Sequence, residues 1–254
     1  MKKIILIMTL VFILPLFGDK LDLADPLLVE NFGANIVKEK LDTYDSDALG
    51  LWYLKRNYRS KWTKVREDEF ELNDAKVWAF NQLKKKLSKV KPVNKNGDYH
   101  MYINVKFGKY DFKSNSFPVE ALTANSYMTY AGKGEFVDSY LSSKLVFENA
   151  EESVNFIPMK KEDAKKFIKL RKGKYGDINR NIVAHYIYKI TNFSESKEFT
   201  SDGSPMRIKF TGRLKSVEFM DKKRKNILHK VYFESSEKNE ISDVNKTNEN
   251  NTTK

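Results

Sequence analysis

Apolar positions along this chain fall into three regimes: one unbroken run, then a period of three to four, then a period of two. From Ile4 to Phe17 the sequence is almost entirely apolar, between Lys2-Lys3 and Gly18. From about residue 20 to 90 the apolar spacing is helical. Asp25-Pro26 predicts a helix start, and Leu27, Leu28, Phe32, Ile36, Val37 and Leu41 follow on one side, with Gly33 as a weak point. Asp45 or Ser46 caps a second helix carrying Leu49, Trp52, Tyr53 and Tyr58. Asn73 is the expected cap of a third, with Ala75, Trp78, Ala79, Leu83, Leu87 and Val90 as its stripe. Pro92 and the Asn94 to Gly97 segment stop it.

At Tyr99 the period drops to two. Tyr99, Met101, Ile103, Val105 and Phe107 alternate with His100, Tyr102, Asn104 and Lys106, which predicts a half-buried strand. Tyr110 to Phe117, Ser126 to Ala131, Ser143 to Phe147 and Ser153 to Ile157 are further strand candidates. Pro158 is expected to open a short helix with Ala164, Phe167 and Ile168 as its stripe and Gly173 as its stop. Asn181 to Thr191, Met206 to Thr211, Leu214 to Met220 and Ile227 to Phe233 complete the strands. The last two read as a hairpin around a charged turn, Asp221 to Asn226. Helices first and strands later, without βαβ alternation, predict an α+β fold with a mainly antiparallel sheet and one further short helix.

The leading apolar run is too short for a bilayer span, which needs roughly twenty residues, and Pro15 interrupts its end. With a positive start and a small residue at its close, it reads as a secretory signal peptide over residues 1–18. Leu16 at the minus-three position of a cut after Gly18 leaves the cleavage site open, and an uncleaved anchor is the alternative. The expected location is periplasmic or secreted, with no transmembrane span in the mature chain. Residues 19–234 are expected to form one domain, helical over 20–92 and sheet-rich over 98–234. Residues 235–254, nearly devoid of apolar side chains, are expected to be a disordered tail.

The chain has no cysteine, so thiolate metal sites, cysteine nucleophiles and disulfides are excluded together. Its net charge is +12, and removal of Lys2 and Lys3 with the leader leaves +10. That balance favours acidic partners, an envelope component or a partner protein. A composition rich in Lys, Asn, Ile and Phe is also what AT-rich codons produce. Export and the lack of an RNA-stacking aromatic signature argue against nucleic acid. The lysines gather in two clusters, one from Lys160 to Lys174 and one from Lys222 to Lys225. Lys165, Lys169 and Lys172 share one helical face, and with Lys222, Lys223 and Arg224 they are the candidate anion-binding residues.

Catalytic chemistry is less well marked. His100, His185 and His229 are far apart in sequence with no metal-ligand spacing. The acidic pairs Asp45 with Asp47 and Glu151-Glu152, and the Glu67 to Glu71 cluster, read as solvated charge, the last as a loop. Gly132-Lys133-Gly134 and Gly173 to Gly176 lack the context of a phosphate loop. No catalytic residue, metal ligand or cofactor is assigned.

Trp62-Thr63 leading into Asp68 to Leu72, Lys109 to Phe112 before Ser116-Phe117-Pro118, and Pro158-Met159 to Ala164 before the Val183 to Thr191 strand occur together. In these phrases the chain resembles a group of small exported bacterial proteins of unknown biochemical function, over roughly Trp52 to Phe233. The resemblance implies export and one α+β unit, and it supplies no site residues. The leading expectation is a non-enzymatic binding module for acidic partners. The alternatives are an exported hydrolase using carboxylates assembled by the fold, and an accessory subunit of an envelope complex.

Overall fold

The computed structural model describes residues 21–233 apart from 95, 121, 124, 141, 153, 154, 201 and 202. The expected signal peptide and the expected disordered tail lie outside the described residues. Helices α1 (Pro26–Glu39), α2 (Ser46–Asn57), α3 (Arg59–Val65) and α4 (Glu69–Ser88) come first. Strands β1 (Tyr99–Lys106), β2 (Ser116–Pro118), β3 (Tyr127–Tyr130), β4 (Ser143–Phe147) and β5 (Phe156–Pro158) follow. Then come α5 (Lys161–Leu170), β6 (Asn181–Lys197), β7 (Arg207–Met220) and β8 (Ile227–Tyr232). The fold is α+β, as the periodicity predicts.

Three helices start on an aspartate whose carboxylate accepts backbone N–H groups of the first turn. Asp25 accepts from Leu27, Asp45 from Asp47 and Ala48, and Asp68 from Phe70 and Glu71. Each such cap is worth about 1 kcal/mol. Asp68 therefore opens α4 ahead of Asn73, which lies inside the helix. Glu69 and Glu71 stand in its first turn, where the helix dipole favours acidic groups, and not in the loop expected there. Tyr58 is the N-cap of the unforeseen α3 and does not belong to α2.

The larger sheet runs β1-β6-β7-β4-β3, and β8 also pairs with β7. Its pairings are antiparallel except β4 with β7. One edge of β7 serves two partners in turn, β4 at Lys209 to Gly212 and β8 at Ser216 to Met220. This explains why the expected break between Thr211 and Leu214 is absent: β6 pairs along both halves and carries β7 through Gly212. β6 itself continues beyond Thr191 to Lys197 through irregular register. Tyr110 to Asn115 makes a turn closed by an Asp111–Ser116 bridge, so only Ser116–Pro118 pairs, with β5. Pro158 ends β5 instead of opening α5, whose C-cap is Arg171, two residues before Gly173.

The core lies between the helices and one face of the sheet. Phe32 of α1 meets Phe193 at 4.9 Å, Phe210 at 5.0 Å and Tyr99 at 6.3 Å between ring centroids. Gly33 is required beside it, because a Cβ there would collide with the Val137 side chain. One turn earlier, the Glu30 carboxylate accepts the N–H groups of Glu135, Phe136 and Val137 at 3.0, 2.6 and 3.2 Å. That clamp satisfies three backbone donors of a loop whose Val137 also forms an isolated bridge to Met206. At the far end of β1, Phe107 packs on Phe117 and Phe167, which seats α5.

Candidate functional site

The seating of α5 sets up a cleft. The helix ends beside the β7–β8 turn, and together they enclose about 680 Å³. Its apolar lining is Phe167, Leu170 and Leu228; its charged lining is Arg171, Lys222, Lys223, Lys225 and Asp221. Four cations thus face one carboxylate. The two basic clusters, about fifty residues apart in sequence, meet here.

Both walls are pre-shaped. Arg171 donates to the carbonyls of Asn179 and Asn181 at 3.3 and 3.0 Å and lies 4.4 Å from the Phe167 ring centroid. Burial lowers the Arg171 pKa, but from so high a start that the guanidinium stays charged. In the turn, the Asp221 N–H donates to Asn226 and the Arg224 N–H to Asp221. The Asp221 carboxylate accepts from Lys225 N–H at 2.9 Å and Asn226 Nδ2 at 2.6 Å, and the Lys225 N–H is the main reason its pKa is lowered. The one acid of the cleft is therefore engaged within its own turn, and the Lys222, Lys223 and Lys225 side chains stand exposed.

The candidate anion-binding residues divide. Lys222 and Lys223 line the cleft. Lys165, Lys169 and Lys172 are exposed on α5 and just beyond it, outside the lining, while Leu170 and Arg171 of the same stretch line it. Arg224 turns away at φ 57° and sits 4.3 Å from the centroid of the Tyr102 ring.

Arg224 leads to a second constellation on the open face of the sheet. Tyr102, His185, Glu218 and Lys230 are successive register partners across β1, β6, β7 and β8. Tyr102 stacks on the His185 ring at 4.2 Å. His185 Nδ1 lies 2.8 Å from Glu218 Oε2, and its Nε2 lies 2.9 Å from His100 Nδ1. Lys230 Nζ reaches Glu218 Oε1 at 2.5 Å. Burial works against the Glu218 charge, but the bonds from Lys230 and His185 prevail and hold its pKa below the usual value. Sequence reasoning separated these histidines by 85 residues; the pairing of β1 with β6 joins them. The hairpin itself had a local signal, but its regular register would set Glu218 opposite His229; a register shift between Phe219 and Met220 brings Lys230 there instead.

Carboxyl groups with displaced titration among the described residues, Asp111, Glu218 and Asp221, are all displaced downward, whereas a general acid needs a raised value. Among the described residues no group of three or more His, Asp or Glu could hold a metal ion.

Residues 38–170 match the family model described as a domain of unknown function, DUF4852. The chain belongs to that family. The matched stretch holds α2 to α5 and β1 to β5 and stops at the C-terminal residue of α5. Phe167 and Leu170 of the cleft therefore lie inside it, and Arg171 and the β7–β8 turn lie beyond. No curated protein and no solved structure matches the chain.

Proposed function

We propose that this DUF4852 member is an exported, non-enzymatic binding module that takes an acidic envelope component or partner protein in the cleft between α5 and the β7–β8 turn. The observation that carries the reading is the convergence of Arg171, Lys222, Lys223 and Lys225 on one 680 Å³ cleft whose single carboxylate is already bonded. Three exposed lysines, with Arg171 held in place by backbone carbonyls, around a partly apolar floor attract anions and steer them before contact. The leader-like first eighteen residues support export, which places the cleft among envelope polyanions.

Titration of the full chain with polyglutamate, followed by calorimetry, tests this. Binding should weaken as salt rises, and the combined Lys222→Ala, Lys223→Ala and Lys225→Ala variant should bind at least about tenfold more weakly, at roughly 1 kcal/mol for each lost charged contact. Equal affinity in parent and variant contradicts the reading. Fractionation of producing cells addresses export separately: a processed chain outside the cytoplasm is the expected result.

A further inference from the structure

Next to the cleft, two large side chains project into solvent with nothing to cover them. Leu170, at the last position of α5, is 87% exposed, and Tyr175 is 90% exposed. Tyr175 lies in a small loop closed by the Lys172–Ile178 bridge and by the Gly173 N–H bond to the Asp177 carbonyl. The loop is thus held by its own backbone. Exposed lysines flank both side chains in sequence, Lys165, Lys166, Lys169, Lys172 and Lys174, against the nearby exposed acids Asp163, which pairs with Lys166, and Asp177.

Resting on the acidic-partner reading, we infer that the partner is the surface of an anionic lipid bilayer: Leu170 and Tyr175 enter the headgroup region while the cations around the cleft lie against lipid phosphates. An acidic peptide or a soluble polyanion would neutralise the lysines and leave Leu170 and Tyr175 in water. A bilayer serves both halves of the patch at once, because its interface accepts tyrosine's amphipathic ring and an aliphatic side chain beneath a layer of negative charge. The geometry is that of a tip and not of a helix lying flat. The apolar stripe of α5 is already committed to the protein, with Ala164 buried and Phe167 packed on Phe107 and Phe117. Attachment is peripheral, since no helix among the described residues is long and apolar enough to cross a membrane. Each cation near an anionic surface strengthens binding roughly fivefold, and full burial of one leucine strengthens it by about tenfold or more.

Co-sedimentation of the full chain with vesicles of phosphatidylcholine, with and without phosphatidylglycerol, tests the inference beside the polyglutamate titration. The parent should bind only the phosphatidylglycerol vesicles. The single variant Tyr175→Ser, outside the cleft lining, should keep its polyglutamate affinity while binding vesicles more weakly, and the double variant Leu170→Ser, Tyr175→Ser should lose at least about tenfold in vesicle affinity and keep its melting temperature, since both positions are exposed. Vesicle binding unchanged in that variant overturns the insertion. A parent that binds polyglutamate and no vesicle overturns the lipid assignment and leaves the acidic-partner reading standing. A parent that binds neither removes both.

Discussion

On the helix-covered face of the sheet, Tyr99, Tyr188 and Phe210 are fully buried against or beside Phe32. On the opposite face, over the same strands, Tyr102, His185, Glu218 and Lys230 form a charged and aromatic row. The first face is stabilised by apolar area removed from water, which changes little with salt or mild acid. The second is stabilised by paired charge, which depends on both. Arg224, which packs over Tyr102 of that row, belongs to the turn that forms one wall of the basic cleft. Core packing thus sets the position of α5, and the charged row holds the turn opposite it.

The difference can be broken most strongly on the dry side. Phe32→Ala should cost about 3–5 kcal/mol in chemical denaturation, enough to unfold a marginal domain. A loss below about 1 kcal/mol would mean that the helices and the sheet are not one packed layer pair. On the charged side, Glu218→Ala removes the shared partner of His185 and Lys230 and should cost about 2 kcal/mol. That cost should shrink with added salt, whereas the Phe32→Ala cost should not.

Acid addresses one group on each face: Glu218 in the charged row, and His229, the register partner of buried Phe219, on the other. Glu218 has a folded pKa below its unfolded value, so its contribution is full above about 4.5 and is lost as pH falls through the folded value. His229 is shifted down by burial, so its neutral form is favoured in the fold. Its contribution is present above its unfolded value of 6.5 and is lost as pH falls through the lower folded value. Melting temperatures should therefore fall in two steps from neutral pH downward, and His229→Gln should remove the first. A variant that keeps the first step would assign it to another group.

The smallest expected effects are in the turn. Arg224→Gly relieves a left-handed backbone position but gives up the contact with Tyr102, so the net change should stay within about 1 kcal/mol. The Lys222→Ala, Lys223→Ala, Lys225→Ala variant should melt within about 0.5 kcal/mol of the parent at each position while losing ligand affinity.

What the sequence displayed follows the same division between local and distant. Asp25-Pro26, the alternation from Tyr99, the Ser143–Phe147 strand and the hairpin around Asp221 to Asn226 are each written in a few neighbouring residues, and each appears in the structure. The merged β7 was hidden because Gly212 reads as a break until β6 is known to pair along it. The two lysine clusters were visible, but their meeting was not, because it depends on Phe107 and Phe117 seating α5 against Phe167. The same holds for His100 and His185, whose contact depends on sheet order.

Amide hydrogen exchange of the full chain, with and without polyglutamate, tests the central claim most directly because it locates the contact. Slower exchange confined to residues 167–171 and 221–228 is the result this account predicts. Protection centred on α3 and α4, or spread evenly over exposed lysines, would contradict it.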